Sequence, residues 1–271
     1  MPSGVTTNST PTAALKVVPT VTVSVVSHGH GDQVMQLLGT LHALCTQHVG
    51  HVVLTINVPE PTLLEQVQAL QWGFRLSVVQ NLQPKGFGAN HNAAFGYGAL
   101  DYFCVLNPDI DFAANPFVDL LDKLADPLVG CSFPVQVDVN GCLQDHARSV
   151  PSPLALLERY NPFGRVGQAR PQTSPDWING AFMLFRADVF RPIGGFDERY
   201  FMYCEDVDIC LRLQLAGYGL SRSDVHVTHA AHRSSRVNLK HLAWHVVSLL
   251  RLWTGSPYRS FRDLARNKQM R

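Results

Sequence analysis

Hydrophobic and polar positions follow two rhythms along most of the chain. Val21-Thr22-Val23-Ser24-Val25-Val26-Ser27 is a near-continuous β-branched run, suited to a strand covered on both faces. It leaves through Ser27-His28-Gly29-His30-Gly31, and the rhythm then changes. Val34, Leu37, Leu38, Leu41 and Leu44 recur three and four apart, which predicts a helix from about Asp32. Residues 51–58 read as a second strand, 61–70 as a short helix and 75–80 as a third strand. This alternation predicts an α/β fold: a mostly parallel sheet flanked by helices. Ligands of such sheets bind at the carboxyl ends of strands. Ser27, His28 and Asn57, all at strand ends, are candidate ligand contacts, with ordinary turn chemistry as the alternative for each.

Next comes a loop, Asn81-Leu82-Gln83-Pro84-Lys85-Gly86-Phe87-Gly88-Ala89-Asn90-His91-Asn92, running into an Ala-rich helix expected over 93–100. The Gly86-x-Gly88 spacing is not a full dinucleotide fingerprint. Two readings stand. One is a tight turn with Asn90 capping the helix. The other is a phosphate site made by Lys85 and the backbone amides around Gly86. A strand at Tyr102–Leu106 then delivers Asn107-Pro108-Asp109-Ile110-Asp111. Aspartates at a strand exit supply hard oxygen ligands for Mg²⁺ or Mn²⁺, while an Asp-rich turn is the plain alternative.

The densest chemistry is Tyr200-Phe201-Met202-Tyr203-Cys204-Glu205-Asp206-Val207-Asp208, three carboxylates in four residues beside large aromatics. The apolar spacing that follows, stopped at Gly217, puts the acids at a helix N-terminus. One capping carboxylate would satisfy that terminus. Three point to a group that takes a proton or holds a cation.

With 271 residues, 46% hydrophobic and 16% charged, and a formal charge of +1, the chain can bury a sizeable core and offers nucleic acid no basic surface. Six cysteines without CxxC pairing read as reduced core residues of a cytoplasmic protein, with no metal–thiolate site. Residues 1–18, rich in Ser, Thr, Pro and Ala, read as a disordered tail.

Taken together, the strand at residues 21–27, Lys85-Gly86-Phe87-Gly88-Ala89-Asn90, Leu106-Asn107-Pro108-Asp109, Trp177-Ile178-Asn179-Gly180-Ala181-Phe182-Met183-Leu184, Gly194-Gly195-Phe196-Asp197-Glu198 and Glu205-Asp206-Val207-Asp208 resemble, in order, the motifs of family 2 glycosyltransferases. The resemblance is closest to the rhamnosyltransferase-like branch and covers residues 19–240. It implies a GT-A fold, a nucleoside-diphosphate sugar donor such as dTDP-rhamnose, a divalent metal on the diphosphate, inversion at the anomeric carbon and a glycan or lipid-linked glycan acceptor. The family's DxD falls on Asn107-Pro108-Asp109, with Asn in place of the first Asp, while the literal DxD is Asp109-Ile110-Asp111. Asp109 belongs to both registers and is the expected metal residue, with Asp111 beside it and His229 as the late histidine. The resemblance makes Asp206 the expected base with Glu205 beside it, and puts Ser27, His28, Asn57, Lys85, Gly86, Asn90, Asn107 and Asp109 on the donor side. Trp177 and Asn179 are candidate acceptor contacts. A nucleotidyltransferase, or an inactive nucleotide-sugar-binding module, would share parts of this pattern.

The end of the chain, residues 241–271, reads as an amphipathic helix and basic tail. Its apolar run is too short to span a bilayer. Either it lies at the inner face of a membrane, with Trp244 and Trp253 as anchors, or it packs on the domain or on a second subunit as a homodimer.

Overall fold

The computed structural model describes residues 21–150, Pro153, 175–230 and 239–269. The expected N-terminal tail and residues 154–174 lie outside the described residues. The elements run β1 (Val21–Ser27), α1 (Gly31–Leu44), β2 (Val49–Ile56), α2 (Pro61–Ala69), β3 (Arg75–Gln80), α3 (Phe87–Gly96), β4 (Tyr102–Leu106), β5 (Ile110–Asp111), α4 (Phe117–Leu124), β6 (Val129–Val137) and β7 (Ala147–Arg148). They continue with β8 (Trp177–Ile178), β9 (Phe182–Arg186), α5 (Ala187–Phe190), α6 (Glu205–Leu215), β10 (Gly219–His229), α7 (Leu239–Thr254) and α8 (Ser256–Gln269).

Eight strands form one sheet in the order β3-β2-β1-β4-β9-β6-β10-β5. β1 pairs in parallel with both β2 and β4, whereas β9 runs antiparallel between β4 and β6. The chain thus builds outward from β1 to β3 and returns to lay β4 on the other side. That reversal puts the switch point of the sheet at the carboxyl ends of β1 and β4, beyond which sheets of this kind take ligands in a crevice.

Each central strand divides its side chains by alternation. Val21, Val23 and Val25 of β1 join Leu37, Leu38 and Leu41 of α1 and Leu120 of α4 in one core cluster. On the opposite face Thr22 accepts the amide of Leu100, and Ser24 bonds the ring of His91 at 2.8 Å. Phe103 and Val105 of β4 and Phe185 of β9 build the second cluster with α5 and α6.

Two segments differ from the sequence expectation. The helix expected over 93–100 begins at Phe87, so Asn90 is not its cap but lies one turn inside, buried. Its Gly- and Asn-rich first turn has poor intrinsic propensity, and tertiary contacts override that: the Phe87 amide bonds the carbonyl of Phe201 at 3.0 Å. At the far end, the expected basic tail is a second helix, α8. Its Tyr258 and Phe261 are buried in the second cluster beside Leu249 and Leu252 of α7. Trp253 packs against the same cluster, and Trp244 lies on Phe201 with ring centres 4.8 Å apart. Both tryptophans therefore face protein, and Leu242, Val246, Val247 and Leu250 form the exposed stripe of α7. Among the described residues no helix is long and apolar enough to cross a membrane. All six cysteines are free, five of them buried and Cys142 exposed.

Candidate active site

At the ends of β1 and β2, Asn57 organises the loop before α3. Its Oδ1 accepts the Lys85 amide at 2.9 Å and the Asn81 side chain at 2.8 Å. Its Nδ2 donates to the Lys85 carbonyl and lies 3.1 Å from Nδ1 of His28. Asn90, 1% exposed, donates to the same carbonyl at 3.2 Å and accepts from Asn81 at 2.7 Å. These asparagines spend their polar atoms on the loop, so their effect is to hold Lys85 and Gly86 in place. The Lys85 side chain is exposed at the edge of that loop. Ser27 is fully buried, its hydroxyl accepting the His30 amide at 3.2 Å, so its polar atom serves the turn. Gly86 admits no side chain: a Cβ there would stand 2.6 Å from the Phe201 carbonyl oxygen.

Across the crevice, short β5 pairs antiparallel with the end of β10 and brings Asp109 to His229. Nε2 of His229 lies 3.4 Å from Oδ2 of Asp109. Burial pushes the Asp109 carboxyl up, but the hydrogen bond and charge of His229 outweigh it and leave it below the usual carboxylate range. The tautomer of His229 follows from its other neighbour. Nε2 of Gln144 donates to the His229 carbonyl at 2.7 Å, which turns its Oε1 toward Nδ1 of His229 at 3.0 Å. A carbonyl oxygen only accepts, so Nδ1 carries a ring proton and Nε2 is the nitrogen that faces the carboxylate, as a donor in the charged ring and as a lone pair in the neutral one. In the neutral ring a lone pair and a carboxylate oxygen face each other 3.4 Å apart, an arrangement that a metal cation would bridge. Oδ1 of Asp109 is also buried and without a hydrogen-bond partner. The pair therefore fits a divalent ion, with room in its coordination for diphosphate oxygens. Among the described residues there is no group of three His, Cys, Asp or Glu that could hold a metal. Asp111 is exposed, and its carboxylate accepts the Phe112 amide. Asn107 lies at the exit of β4, its amide donating to Ala181 at 2.8 Å.

The acids open α6. Glu205 is 5% exposed, with Oε2 unpartnered, and burial, then the charge of Asp206, push its carboxyl well above the ordinary range. Asp206 is half-buried. Oδ1 accepts the Val207 amide at 2.8 Å and Oδ2 the Gly180 amide at 3.3 Å. Burial pushes Asp206 up to about 6, against the lowering influence of those amides and of Arg148. Desolvation thus prevails over the helix terminus: both carboxyls are raised, Glu205 well above its ordinary range and Asp206 to about 6. Asp208 has a different task. It pairs with Arg212 at 2.7 Å, and Arg212 reaches the Ile193 carbonyl, which ties α6 to the Gly194-Gly195 turn.

Gly180 joins the parts. Its amide bonds Asp206, and a Cβ on it would meet the Phe87 ring at 2.9 Å, so only glycine lets α3 and α6 close on each other here. The candidate acceptor residues flank it. Asn179 and Gln136 exchange side-chain hydrogen bonds at 2.7 and 2.9 Å. Trp177 donates to the Ser149 carbonyl, and its ring lies 5.2 Å below the Arg148 guanidinium. Neither residue is bare. Gln144, Arg148 and the Gly180 amide were not singled out from sequence. Gly180 lay inside a quoted motif, but Gln144 and Arg148 stand in a polar stretch with no periodicity to mark them.

No protein-family model matches the chain. In structure it is similar to the mannosyltransferase PcManGT from Pyrobaculum calidifontis in complex with GDP-Man and Mn²⁺, with a TM-score of 0.62 at 17% identity, over 91% of this chain and 68% of that one. That likeness gives the fold, the GT-A fold of glycosyltransferases. In sequence the chain is 30% identical to the rhamnosyltransferase WbbL of Escherichia coli K12 over 252 residues, 84% of this chain and 90% of that protein. It is 36% identical over 162 residues to the N-acetylglucosaminyl-diphospho-decaprenol L-rhamnosyltransferase of Mycobacterium tuberculosis H37Rv, 54% of this chain and 52% of that protein. The chain belongs to the rhamnosyltransferase-like branch of the family 2 glycosyltransferases and is a glycosyltransferase.

The fit at Asp109 and His229 predicts that Gln144→Leu, which frees the His229 ring, weakens Mn²⁺ binding by about 10- to 100-fold. Calorimetric titration of the metal into the protein measures this, and equal affinity in the two proteins would contradict it.

Proposed function

We propose that the protein transfers rhamnose, with inversion, from a nucleoside-diphosphate donor to a hydroxyl of a lipid-linked glycan acceptor in cell-surface polysaccharide synthesis. The observation that carries this reading is Asp206, a half-buried carboxylate ionising near 6 at the junction of α3, α6 and Gly180. A sugar hydroxyl is a poor nucleophile, and a positioned base contributes about 10² to 10⁴ in rate. Asp206 takes the hydroxyl proton as the oxygen bonds to the anomeric carbon, and the bond from that carbon to the diphosphate breaks on the opposite face. Burial and the charge of Asp206 favour the neutral form of Glu205 beside the base. Asp109 and His229, with Asp111 at their edge, would hold a divalent cation, which would supply positive charge for the leaving diphosphate. Lys85 and the amides at Gly86 bind the diphosphate, with Asn57, Asn81 and Asn90 fixing that loop. Ser27 and His28 line the nucleoside side with Asn107, and Trp177 and Asn179 shape the acceptor side. Rhamnose and the lipid-linked acceptor are supported by the names of the two rhamnosyltransferase relatives.

The exposed stripe Leu242, Val246, Val247 and Leu250 is the face that meets the membrane carrying such an acceptor, with exposed Arg259, Arg262 and Arg266 of α8 toward anionic lipid. Homodimer formation through the same stripe is the second reading, since a stripe of this kind also fits a copy of itself.

Asp206→Asn keeps the shape of the side chain and removes the basic oxygen. Turnover with dTDP-rhamnose and a diphospholipid-linked acceptor should fall at least about a hundredfold, with donor and Mn²⁺ affinity little changed. The same variant should gain stability at neutral pH. A carboxyl raised from 3.8 to about 6 in the fold makes the native state lose stability as pH rises between those values, an effect of up to about 3 kcal/mol. Near-normal turnover, or a loss of stability, would reject the reading. For the membrane face, Val246→Asp with Leu250→Asp should abolish co-sedimentation with phosphatidylglycerol vesicles while donor binding persists. Full recovery on vesicles, or a dimer in sedimentation velocity that the substitutions dissolve, would reject it. Removing residues 241–271 is a poorer test, because it strips Leu249, Leu252, Tyr258 and Phe261 from the core.

A further inference from the structure

The turn that leads into α6 is left-handed at two successive residues that carry side chains, Tyr203 with φ 71° and Cys204 with φ 65°. Each such residue costs of order 1–3 kcal/mol and persists only where its surroundings hold it. No side-chain cap helps, because Cys204 stands at the N-cap position without one. The restraint comes from α7. Arg251 donates to the Arg199 carbonyl and sets its guanidinium 5.7 Å from the centre of the Tyr200 ring. Trp244 packs on Phe201, and the Ser248 hydroxyl donates to the Met202 carbonyl at 2.8 Å. The Tyr203 ring stacks on His245 at 4.8 Å, and its hydroxyl lies 2.9 Å from Nδ1 of His241. One helix thus engages five consecutive residues, 199–203. On its other side the same strip meets the loop before α3, where the Phe201 carbonyl accepts the Phe87 amide and closes over Gly86.

We propose that α7 is a clasp for the catalytic base: Tyr203, held by His241 and His245, is a positioning residue that sets the first turn of α6 and fixes Asp206 against Gly180. This rests on the reading of Asp206 as the base. Packing alone would be served by Leu249 and Leu252, which sit in the core beside α6. The polar contacts of residues 199–203 add something packing does not need, namely a backbone conformation two residues before Glu205 that the chain would not adopt by itself. The strip touches both the loop before α3 and the start of α6, so it also sets the width of the crevice between donor loop and base.

The test uses the full chain with Tyr203→Phe, which removes one oxygen and keeps the stacked ring, and with His241→Ala, singly and together. Each single variant should lower kcat at least about tenfold, because a base displaced by a fraction of an ångström loses its alignment. Donor affinity should stay within about twofold of the parent, and the double variant should be no slower than the slower single one, since both remove one contact. His241→Gln, which restores an acceptor for the Tyr203 hydroxyl, should recover most of the loss. The acidic limb of the kcat/KM profile should also move down toward about 4 in Tyr203→Phe as water reaches Asp206. Turnover within about twofold of the parent in both single variants overturns the proposal, as does a loss that disappears once corrected for the folded fraction. An unmoved pH limb with no rescue by His241→Gln overturns it too. Asp206→Asn in the same assay separates the two claims. If that variant is active, the base assignment fails; if it is inactive while Tyr203→Phe is normal, the clasp alone fails.

Discussion

Keeping charge out of water is expensive, and this protein does it with two neighbouring carboxyl groups at the start of one helix. Glu205 and Asp206 cannot both ionise in a half-closed site flanked by Phe87 and Tyr203. The cost is resolved by splitting roles. Glu205, with an unpartnered buried oxygen, is raised well above the ordinary range by burial and by the charge of Asp206, while two backbone amides and the field of Arg148 favour the charged form of Asp206. Much of the surrounding architecture serves that arrangement. The strained turn at Tyr203 and Cys204 leads into the helix, Asp208 and Arg212 pin its next turn, and glycines at 86 and 180 let the loop before α3 approach.

The other end of the crevice obeys the opposite electrostatics. Asp109 is held below the usual carboxylate range by His229, and the Gln144 carbonyl oxygen engages Nδ1 so that Nε2 is the ring nitrogen facing the carboxylate. One carboxyl is thus lowered by a neighbouring histidine and the other raised by burial. That polarity suits a reaction in which a diphosphate leaves and a hydroxyl attacks, and the switch of strand order between β1 and β4 puts both ends at one crevice.

Much of this was legible in the sequence because it is written in local pattern. The valines of β1, the leucines of α1 and the apolar run of β4 each report their own burial, and the strands at β1, β3 and β4 begin and end where the pattern places them. The acids of α6 were legible as a helix start because their spacing is local too. What was not legible depends on partners distant in the chain. The first turn of α3 folds on the carbonyl of Phe201, more than a hundred residues away, so its Gly- and Asn-rich sequence read as loop. The basic segment after Trp253 read as a tail because only Tyr258 and Phe261 face the core, too few to set a rhythm. Gln144 carries no pattern at all, and only the pairing of β5 with β10 gives it meaning. The competition at Asp206 between helix terminus and burial also lay beyond sequence, since its outcome depends on how much water reaches the carboxyl.

The central claim, that burial makes Asp206 a base working near neutral pH, is tested most directly by titrating its side-chain carboxyl carbon by ¹³C nuclear magnetic resonance in the full-length protein, assigned with Asp206→Asn. The account predicts a midpoint close to 6. A midpoint in the ordinary aspartate range near 4 would mean that the helix terminus prevails over burial, and would contradict it.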